Sequence, residues 1–249
     1  MSDSINYNNK KFIFVCGLHR SGTSLLHKIL AEHPDISGFS NTDVPEDEGQ
    51  HLQSVFPAAN KFGGPGKFCF DKNSFMDESH PLATEENAQK LLKEWSEYWD
   101  MEKEYLIEKS PPNIIRSKFF QKLYPNSYFI FITRHPIAVS MATQKWSHTS
   151  AVNLYKHWNI AHKAMLDDVK SLDKYIIIKY EDLVSNPDNI VGKLFEFLNL
   201  EKTEFNQVVK KDVNKHYFNM WNEYLEKHKI QKQRISKISD KVARKLGYE

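Results

Sequence analysis

The residues Gly17 to Gly22 (GLHRSG) have the types and the spacing of a loop that binds an anion. Their glycines allow a tight turn and close backbone approach, so that consecutive N–H groups and the positive end of a following helix can face one phosphate. Arg20 adds a positive charge inside the loop. The segment therefore predicts a phosphate site whose candidate residues are Gly17, His19, Arg20, Ser21, Gly22, Thr23 and Ser24.

This spacing is close to that of the nucleotide-triphosphate P-loop, GxxxxGK[ST], with one difference. Thr23 stands where the lysine of that pattern belongs. The lysine normally reaches the β- and γ-phosphates and the hydroxyl after it holds Mg²⁺, so an ATPase or GTPase function loses its two main contacts. The alternative without any ligand is a strand–turn–helix joint in which the glycines only make the turn.

Buried strands and amphipathic helices are predicted around this loop. Unbroken apolar runs at 12–16 and 128–133 are typical of parallel strands that are covered on both faces. Leucine and isoleucine at helical spacing follow the loop, with Thr23 or Ser24 expected near the helix cap. Further strands are predicted at 36–39, 105–108 and 175–179, and further helices at 84–99, 119–124, 151–172 and around 191–198.

Arg134 comes directly after the second strong apolar run and shortly before Pro136. In open parallel sheets, ligands bind outside the carboxyl ends of the strands. If the two apolar strands are neighbours, Arg134 and Arg20 share one crevice and can hold two anionic groups of one ligand. A lone arginine at a strand end can also be a surface ion-pair residue.

The segment GLHRSGTSLL resembles the 5′-phosphosulfate loop of sulfotransferases that use 3′-phosphoadenosine 5′-phosphosulfate (PAPS). In the arginine-type members, which include tyrosylprotein and carbohydrate sulfotransferases, arginine precedes SGT. The run from Arg134 to Pro136 is similar to the R-x-P of the family's 3′-phosphate site. The similarity extends from about residue 11 to 200 and implies an α/β fold, in which helices flank a parallel sheet in a three-layer sandwich like that of P-loop NTPases.

The resemblance also implies how the nucleotide is held. PAPS is the expected co-substrate, 3′-phosphoadenosine 5′-phosphate (PAP) the expected product, and no metal is required. Arg134 is expected at the 3′-phosphate together with a hydroxyl. The family's serine lies eight positions after the arginine, and that position is Ala142 here. Ser140 and Thr143 flank it and are the candidates to replace the missing serine.

The resemblance further implies a catalytic base in the acidic segment after the first helix, where a glutamate of the arginine-type enzymes takes the proton of the acceptor. Glu48 is the first candidate, with Glu46 and His51 as alternatives. Lys109 lies in a Lys-Ser-Pro turn similar to the family's turn beside the cofactor, and is expected to face the sulfuryl group, as is Arg20. The alternatives are a solvated acidic loop and an ordinary surface lysine.

Length, composition and charge limit the class of protein and its domain organisation. The chain has 249 residues, is 40% hydrophobic and carries a formal net charge of +2, which fits one α/β domain. We expect a tail at 1–10 and a single domain at 11–249, whose part from 201 to 249 is basic and helical. Two cysteines and the lack of an apolar leader predict a cytoplasmic protein without disulfides, bound to neither membrane nor nucleic acid.

The sequence thus predicts a sulfotransferase that moves a sulfuryl group from PAPS to an acceptor hydroxyl, with carbohydrate among the candidate acceptors. One alternative is a Mg²⁺-dependent nucleotide kinase with a degenerate P-loop. The other is a nucleotide-binding module without catalysis, for which the departure at Ala142 is the best argument.

Overall fold

A computed structural model describes residues 9–210 and 213–248, so most of the predicted tail at 1–10 and the last residue lie outside the described residues. Within that part of the chain one parallel sheet is present, in the order β2-β3-β1-β4-β5. The predicted α/β fold is confirmed. Its strands are β1 (Lys11–Cys16), β2 (Ile36–Gly38), β3 (Tyr105–Lys109), β4 (Ser127–Thr133) and β5 (Tyr175–Lys179).

Helices cover both faces of the sheet, and short 3₁₀ turns occupy much of the connection between β2 and the next helix. Thr84 caps α2, because its Oγ1 accepts from the N–H of Asn87 at 3.2 Å. The helices are α1 (Thr23–Ala31), α2 (Glu85–Ser96), α3 (Ser117–Leu123), α4 (Pro136–Ser147), α5 (Ala151–Asp168), α6 (Tyr180–Ser185), α7 (Pro187–Leu198), α8 (Val213–Lys227), α9 (Lys229–Ile235) and α10 (Lys241–Lys245).

β1 is the central strand, and its alternate side chains enter two separate apolar layers. Phe12 and Phe14 point to one face, where the ring of Phe14 stacks on Phe120 of α3 with centroids 4.4 Å apart. Ile13 and Val15 point to the other face and pack with α1 and α7. Burial on both sides explains why this strand has an unbroken apolar run rather than an alternating one.

The register of the sheet decides where the functional loops meet. Cys16, the last residue of β1, pairs with Phe131 of β4. The loop after β1 and the residue after β4 therefore emerge side by side at one edge of the sheet. The two strands are neighbours, so the condition under which Arg20 and Arg134 were expected to share a crevice is met.

Candidate active site

The loop from Gly17 to Gly22 connects β1 to the first turn of α1. Gly22 takes the cap position with a φ of 99°, and Thr23 and Ser24 are the first two residues of the helix rather than its cap. The first N–H groups of a helix have no acceptor within the helix. Because α1 begins with Thr-Ser-Leu, no acidic side chain of this turn competes for those donors, and an anion can take them.

At two positions of the loop, Gly17 and Gly22, the neighbouring atoms leave no room for a side chain. A Cβ on Gly17 would lie 2.6 Å from the carbonyl oxygen of Ile132 on β4. A Cβ on Gly22 would lie 2.5 Å from the ring of Tyr180, and its left-handed φ is itself unfavourable for other residues. The loop therefore packs backbone directly against β4 and α6, which fixes the direction of its N–H groups.

Arg20 lies at the mouth of the loop with a φ of 69°. Its guanidinium stacks on the half-exposed ring of Trp146, 4.6 Å from the centroid. Among the described residues, its buried Nε has no hydrogen-bond partner. Stacking holds the guanidinium plane in place and leaves its N–H groups able to meet an anion.

Arg134 lies directly after β4 and is 4% exposed. Its Nη1 donates to the carbonyl oxygen of Arg20 at 2.7 Å, and its Nε donates to Oδ1 of Asn214 at 2.8 Å. The guanidinium also lies between the rings of Tyr180 and Tyr217, at 4.3 and 5.3 Å from their centroids. Burial lowers the pKa of Arg134 from its usual value, although an arginine stays charged in proteins.

One group of Arg134 remains to be satisfied. In the part of the chain that the structure describes, its buried Nη2 has no hydrogen-bond partner. A buried charged donor without an acceptor is costly, and an anionic ligand in the neighbouring cleft would remove that cost. Arg134 is therefore well suited to hold a phosphate.

Residues from α6, α8 and the carboxyl-terminal segment hold Arg134 in place. Asn214 donates from Nδ2 to Oε1 of Glu181 at 2.6 Å. The hydroxyl of Tyr248 donates to Oε2 of the same carboxylate at 3.1 Å and lies 2.8 Å from Oγ1 of Thr133. This chain of contacts connects the helices after residue 212 to the end of β4.

The loop, Arg20 and Arg134 open onto a cleft of about 340 Å³, in the size range of small-molecule sites. The walls come from the loop and α1, the acidic segment after β2, the end of β4, α6, and the segment leading into α8. The side chains that line it are His19, Arg20, Thr23, Ser24, Leu25, Glu46, Glu48, Pro111, Arg134, Trp146, Tyr180, Val208, Lys210, Val213 and Tyr217.

Glu48 reaches this cleft from a largely buried position. Its Oε1 lies 3.6 Å from Nζ of Lys109, which is 1% exposed, and its Oε2 accepts from Nε2 of Gln50 at 2.5 Å. Burial raises the pKa of the Glu48 carboxyl, while Lys109 and Gln50 act in the opposite direction. A carboxylate whose pKa is raised towards the working pH is suited to general-base catalysis.

The other two base candidates are placed differently. Glu46 is exposed and accepts from Oγ of Ser24 at 3.0 Å, so it contacts the first turn of α1. Nε2 of His51 lies 3.8 Å from Oε2 of Glu48, and burial, followed by the charge of Lys109, lowers the pKa of this imidazole. Glu48 is thus at the centre of the group, and Lys109 further donates to the carbonyl oxygen of Glu46 at 2.7 Å.

Ser140 and Thr143, the candidates to replace the missing family serine, are not among the side chains that line the cleft with Arg134. Both are buried on α4 and face a small enclosed cavity that they share with His19 and His157. Within the described ranges, their hydroxyl oxygens have no hydrogen-bond partner. Leu18 and His19 of the phosphate loop both reach this cavity, and burial lowers the pKa of the His19 imidazole to about 3.

Sequence reasoning missed the aromatic side chains of the cleft that contact the two arginines, Trp146, Tyr180 and Tyr217. It also missed Asn214, which accepts a hydrogen bond from Nε of Arg134. Tyr180 carries no signal of its own in the sequence, yet its ring contacts both Gly22 and Arg134. The sequence gives a partial indication for Tyr217, because an aromatic residue in a basic helical segment is suited to line a nucleotide site. Its exact partner depends on the packing of α8 against α4, which no local pattern encodes.

Residues 9–210 and 213–248 contain neither a cluster of metal-binding side chains nor a membrane-spanning helix. No group of three or more His, Cys, Asp or Glu side chains there is arranged to hold a metal ion. No helix in these ranges is long and apolar enough to cross a bilayer.

Comparison with known proteins decides the family. The model of the sulfotransferase family matches residues 13–204 of this chain, which is well over half of it. The chain belongs to the sulfotransferase family. The matched range contains the phosphate loop, the acidic segment, Lys109 and Arg134, and it ends before α8.

Curated relatives of this sulfotransferase include two vertebrate proteins. Protein-tyrosine sulfotransferase 1 of Danio rerio is 25% identical over 211 residues, which cover 80% of this chain and 56% of that protein. Protein-tyrosine sulfotransferase 2 of Gallus gallus is 25% identical over 212 residues, which cover 80% of this chain and 54% of that protein. The chain thus spans about half the length of these relatives.

Solved structures support the fold. Sulfotransferase STF9 from Mycobacterium avium superposes with a TM-score of 0.55 at 12% sequence identity, covering 87% of this chain and 68% of that one. At this identity the likeness shows a shared fold, and the roles of individual residues must be argued from the site itself.

Proposed function

We propose that this sulfotransferase moves the sulfuryl group of PAPS to an acceptor hydroxyl in the cleft. The observation that carries the proposal is the meeting of three groups: the Arg20 loop at the start of α1, the unsatisfied Nη2 of Arg134, and the buried carboxylate of Glu48. Two cationic sites suit a ligand with two separate phosphates, and the carboxylate suits an acceptor that must lose a proton.

The 5′-phosphosulfate is assigned to the loop and the first turn of α1. Backbone N–H groups, Arg20 and Thr23 would neutralise the charge that develops on the sulfuryl oxygens and on the leaving phosphate. Lys109 lies beside Glu48 and is assigned to stabilise the same developing charge. By analogy with phosphoryl transfer, these groups mainly position the reactants and stabilise charge.

The reaction would proceed as a direct displacement. Glu48 takes the proton of the acceptor hydroxyl, and the acceptor oxygen forms a new O–S bond. The bond between sulfur and the 5′-phosphate oxygen breaks, and its electron pair stays on that oxygen, which leaves as part of PAP. No oxidant or reductant is needed, because sulfur keeps its oxidation state.

For the acceptor we propose a phenolic hydroxyl, such as a peptide tyrosine, in preference to carbohydrate. The support is that the curated relatives are named protein-tyrosine sulfotransferases. Family membership also favours sulfuryl transfer over the Mg²⁺-dependent kinase alternative. The predicted cytoplasmic location and the lack of a nucleic-acid partner stay predictions.

Calorimetric titration with PAP, AMP, ATP and GTP, each with and without Mg²⁺, tests the nucleotide assignment. We expect PAP to bind without Mg²⁺ and more tightly than AMP, because only PAP carries a 3′-phosphate for Arg134. Equal affinity for PAP and AMP would remove the 3′-phosphate assignment. Transfer of labelled sulfate from PAPS to a tyrosine peptide then separates an enzyme from a module that only binds.

A further inference from the structure

Gln50 is a buried amide whose two ends are both engaged. It is 3% exposed, and its Oε1 accepts from the backbone N–H of Ala59 at 2.8 Å. Because that N–H needs an oxygen, the amide nitrogen must be the end that faces Glu48, where it donates to Oε2 at 2.5 Å. The amide therefore has one satisfied orientation, and it fixes one oxygen of the carboxylate.

The backbone of Gln50 rests on a second buried contact. Its N–H donates to Oγ of Ser110 at 3.0 Å, and the Ser110 hydroxyl donates to Oε1 of Glu108 at 2.5 Å. Glu108 is 1% exposed, and its Oε2 accepts from Nδ2 of Asn113 at 2.5 Å. A continuous line of hydrogen bonds thus runs from the end of β3 to the carboxylate of Glu48.

Gly49 brings this segment into direct contact with Glu108. A Cβ at position 49 would lie 2.5 Å from Cγ of Glu108. The carbonyl oxygen of Gly49 also accepts from Nε1 of the buried Trp95 at 2.9 Å. The segment that carries Glu48 is therefore held from both sides and cannot shift along the sheet edge without breaking buried hydrogen bonds.

The titratable groups that face Glu48 come from three elements. Lys109 at the end of β3 is 3.6 Å from Oε1, and His51 on the following turn is 3.8 Å from Oε2. Glu46 on the preceding turn adds a like charge that raises the pKa of Glu48. The amide of Gln50 does not titrate, and its hydrogen bond to Oε2 is shorter than the contacts of Lys109 and His51 with Glu48.

We propose that Gln50 is a positioning residue for the sulfuryl transfer: seated by Ser110 and Glu108, it orients the Glu48 carboxylate in the cleft and favours its ionised form. The inference rests on the proposed function. It assigns a role to a buried hydrogen-bond chain that lies outside the nucleotide contacts.

The first test replaces Gln50 with methionine, which keeps the length of the side chain and removes the amide. We expect the pKa of Glu48 to rise, because a donor to its charged form is lost. Turnover of PAPS with a tyrosine peptide should fall about tenfold or more, since small misplacements of a reacting group are costly. The affinity for PAP should stay unchanged.

The pKa is measured directly, without an acceptor. A ¹³C NMR titration of labelled glutamate carboxyls follows Glu48, whose resonance is assigned by its loss in Glu48→Gln. Ser110→Ala is the second variant, because it removes the acceptor of the Gln50 N–H and should move the same pKa in the same direction. It also decides the question if Gln50→Met does not fold.

Gln53→Met is the matched control. Its Nε2 donates to the carbonyl oxygens of Gln50 and Phe56, so the variant loses an amide of the same segment without touching the carboxylate of Glu48. We expect a lower melting temperature and an unchanged pKa of Glu48. If Gln53→Met shifts that pKa as much as Gln50→Met does, Gln50 has a purely structural role and the proposal is overturned.

An unchanged Glu48 pKa in both Gln50→Met and Ser110→Ala also overturns the proposal. Failure of the proposed function looks different. If the wild-type protein binds no PAP, the nucleotide assignment is lost, while the titration still reports whether Gln50 controls the ionisation of Glu48.

Discussion

Arg134 donates a hydrogen bond from its Nη1 to the carbonyl oxygen of Arg20, 2.7 Å away. The residue assigned to the 3′-phosphate therefore also supports the backbone of the loop assigned to the 5′-phosphosulfate. The guanidinium of Arg134 thus connects the two proposed anion sites. A change at Arg134 is expected to affect both sites, and most strongly the one that its free Nη2 faces.

Arg134→Ala should weaken PAP binding by roughly 1.5 to 3 kcal/mol, the range for a hydrogen bond to a charged group. The affinity for AMP should fall less, because AMP has no 3′-phosphate. It is affected only by the loss of the contact between Arg134 and the backbone of the loop. The preference for PAP over AMP should therefore shrink, as measured by calorimetric titration of both ligands.

Arg134→Lys is the matched comparison, since it keeps the charge and loses the planar fork of donors. It should retain part of the preference for PAP. If Arg134→Ala keeps the full wild-type preference, Arg134 has a structural role only.

Glu48→Gln should lower turnover by about 10²- to 10⁴-fold, the usual contribution of a positioned acid–base group. Glutamine has the same size but cannot accept the proton. PAP affinity should stay nearly unchanged, because the carboxylate is assigned to the acceptor. The measurement is sulfation of a tyrosine peptide at saturating PAPS, with PAP affinity determined in parallel.

Glu46→Gln and His51→Asn belong in the same experiment. Each is expected to lose far less activity, because Glu46 contacts Ser24 and His51 is not among the side chains that line the cleft. A large loss in one of these two alone would move the base to that residue. Losses of less than about tenfold in all three would place the base outside the acidic segment.

Glu108 predicts a dependence of stability on pH. Burial raises the pKa of this carboxyl from 4.5 to about 7 in the folded protein. Between these values the unfolded chain loses its proton and the folded protein keeps it, so this group destabilises the folded state increasingly as pH rises from 4.5 to 7. The full effect is about 3 kcal/mol and is complete above pH 7.

Glu108→Gln removes that titration. The free energy of unfolding of the variant, minus that of the wild type, should therefore rise between pH 4.5 and 7. Urea unfolding at several pH values measures it, and the exposed Glu102→Gln controls for loss of a charge. A difference that stays constant over this range would contradict the assignment of the buried proton to Glu108.

Gly22→Ala should impair both folding and nucleotide binding. Alanine at a left-handed φ costs about 1–2 kcal/mol, and its Cβ would also lie 2.5 Å from the ring of Tyr180. Gly64→Ala is the control, since Gly64 has a φ of 72° but its Cβ position meets only the Cα of Asn60, at an ordinary contact distance of 3.9 Å. Thermal unfolding with and without PAP should show stabilisation by PAP in Gly64→Ala and its loss in Gly22→Ala.

The central strands and the phosphate loop could be predicted because their signals are local. β1 and β4 are each covered on both faces, so they appear as unbroken apolar runs. Once those strands are neighbours, Arg20 and Arg134 must share an edge. Glu48 could be singled out by its place in the acidic segment, although its burial could not be read from the sequence.

The remaining walls of the cleft depend on packing between distant segments. Most of α4 is buried, so its sequence has no polar face to show which side Ser140 and Thr143 would take. They line a small cavity with His157 and do not line the cleft that contains Arg134. Asn214 and Tyr217 reach Arg134 only because α8 packs on α4, and that contact joins residues about 80 positions apart.

The contact of Arg134 with Asn214 and Tyr217 also has a consequence for folding. Closing a loop over such a separation costs conformational entropy. That cost is offset only when the intervening sheet and helices are in place. A partly folded chain can have the glycine loop but not the wall opposite it. We therefore expect nucleotide binding to require nearly the whole described fold, and PAP to protect backbone amides beyond those that line the cleft, including those of α8 after Tyr217, against hydrogen exchange.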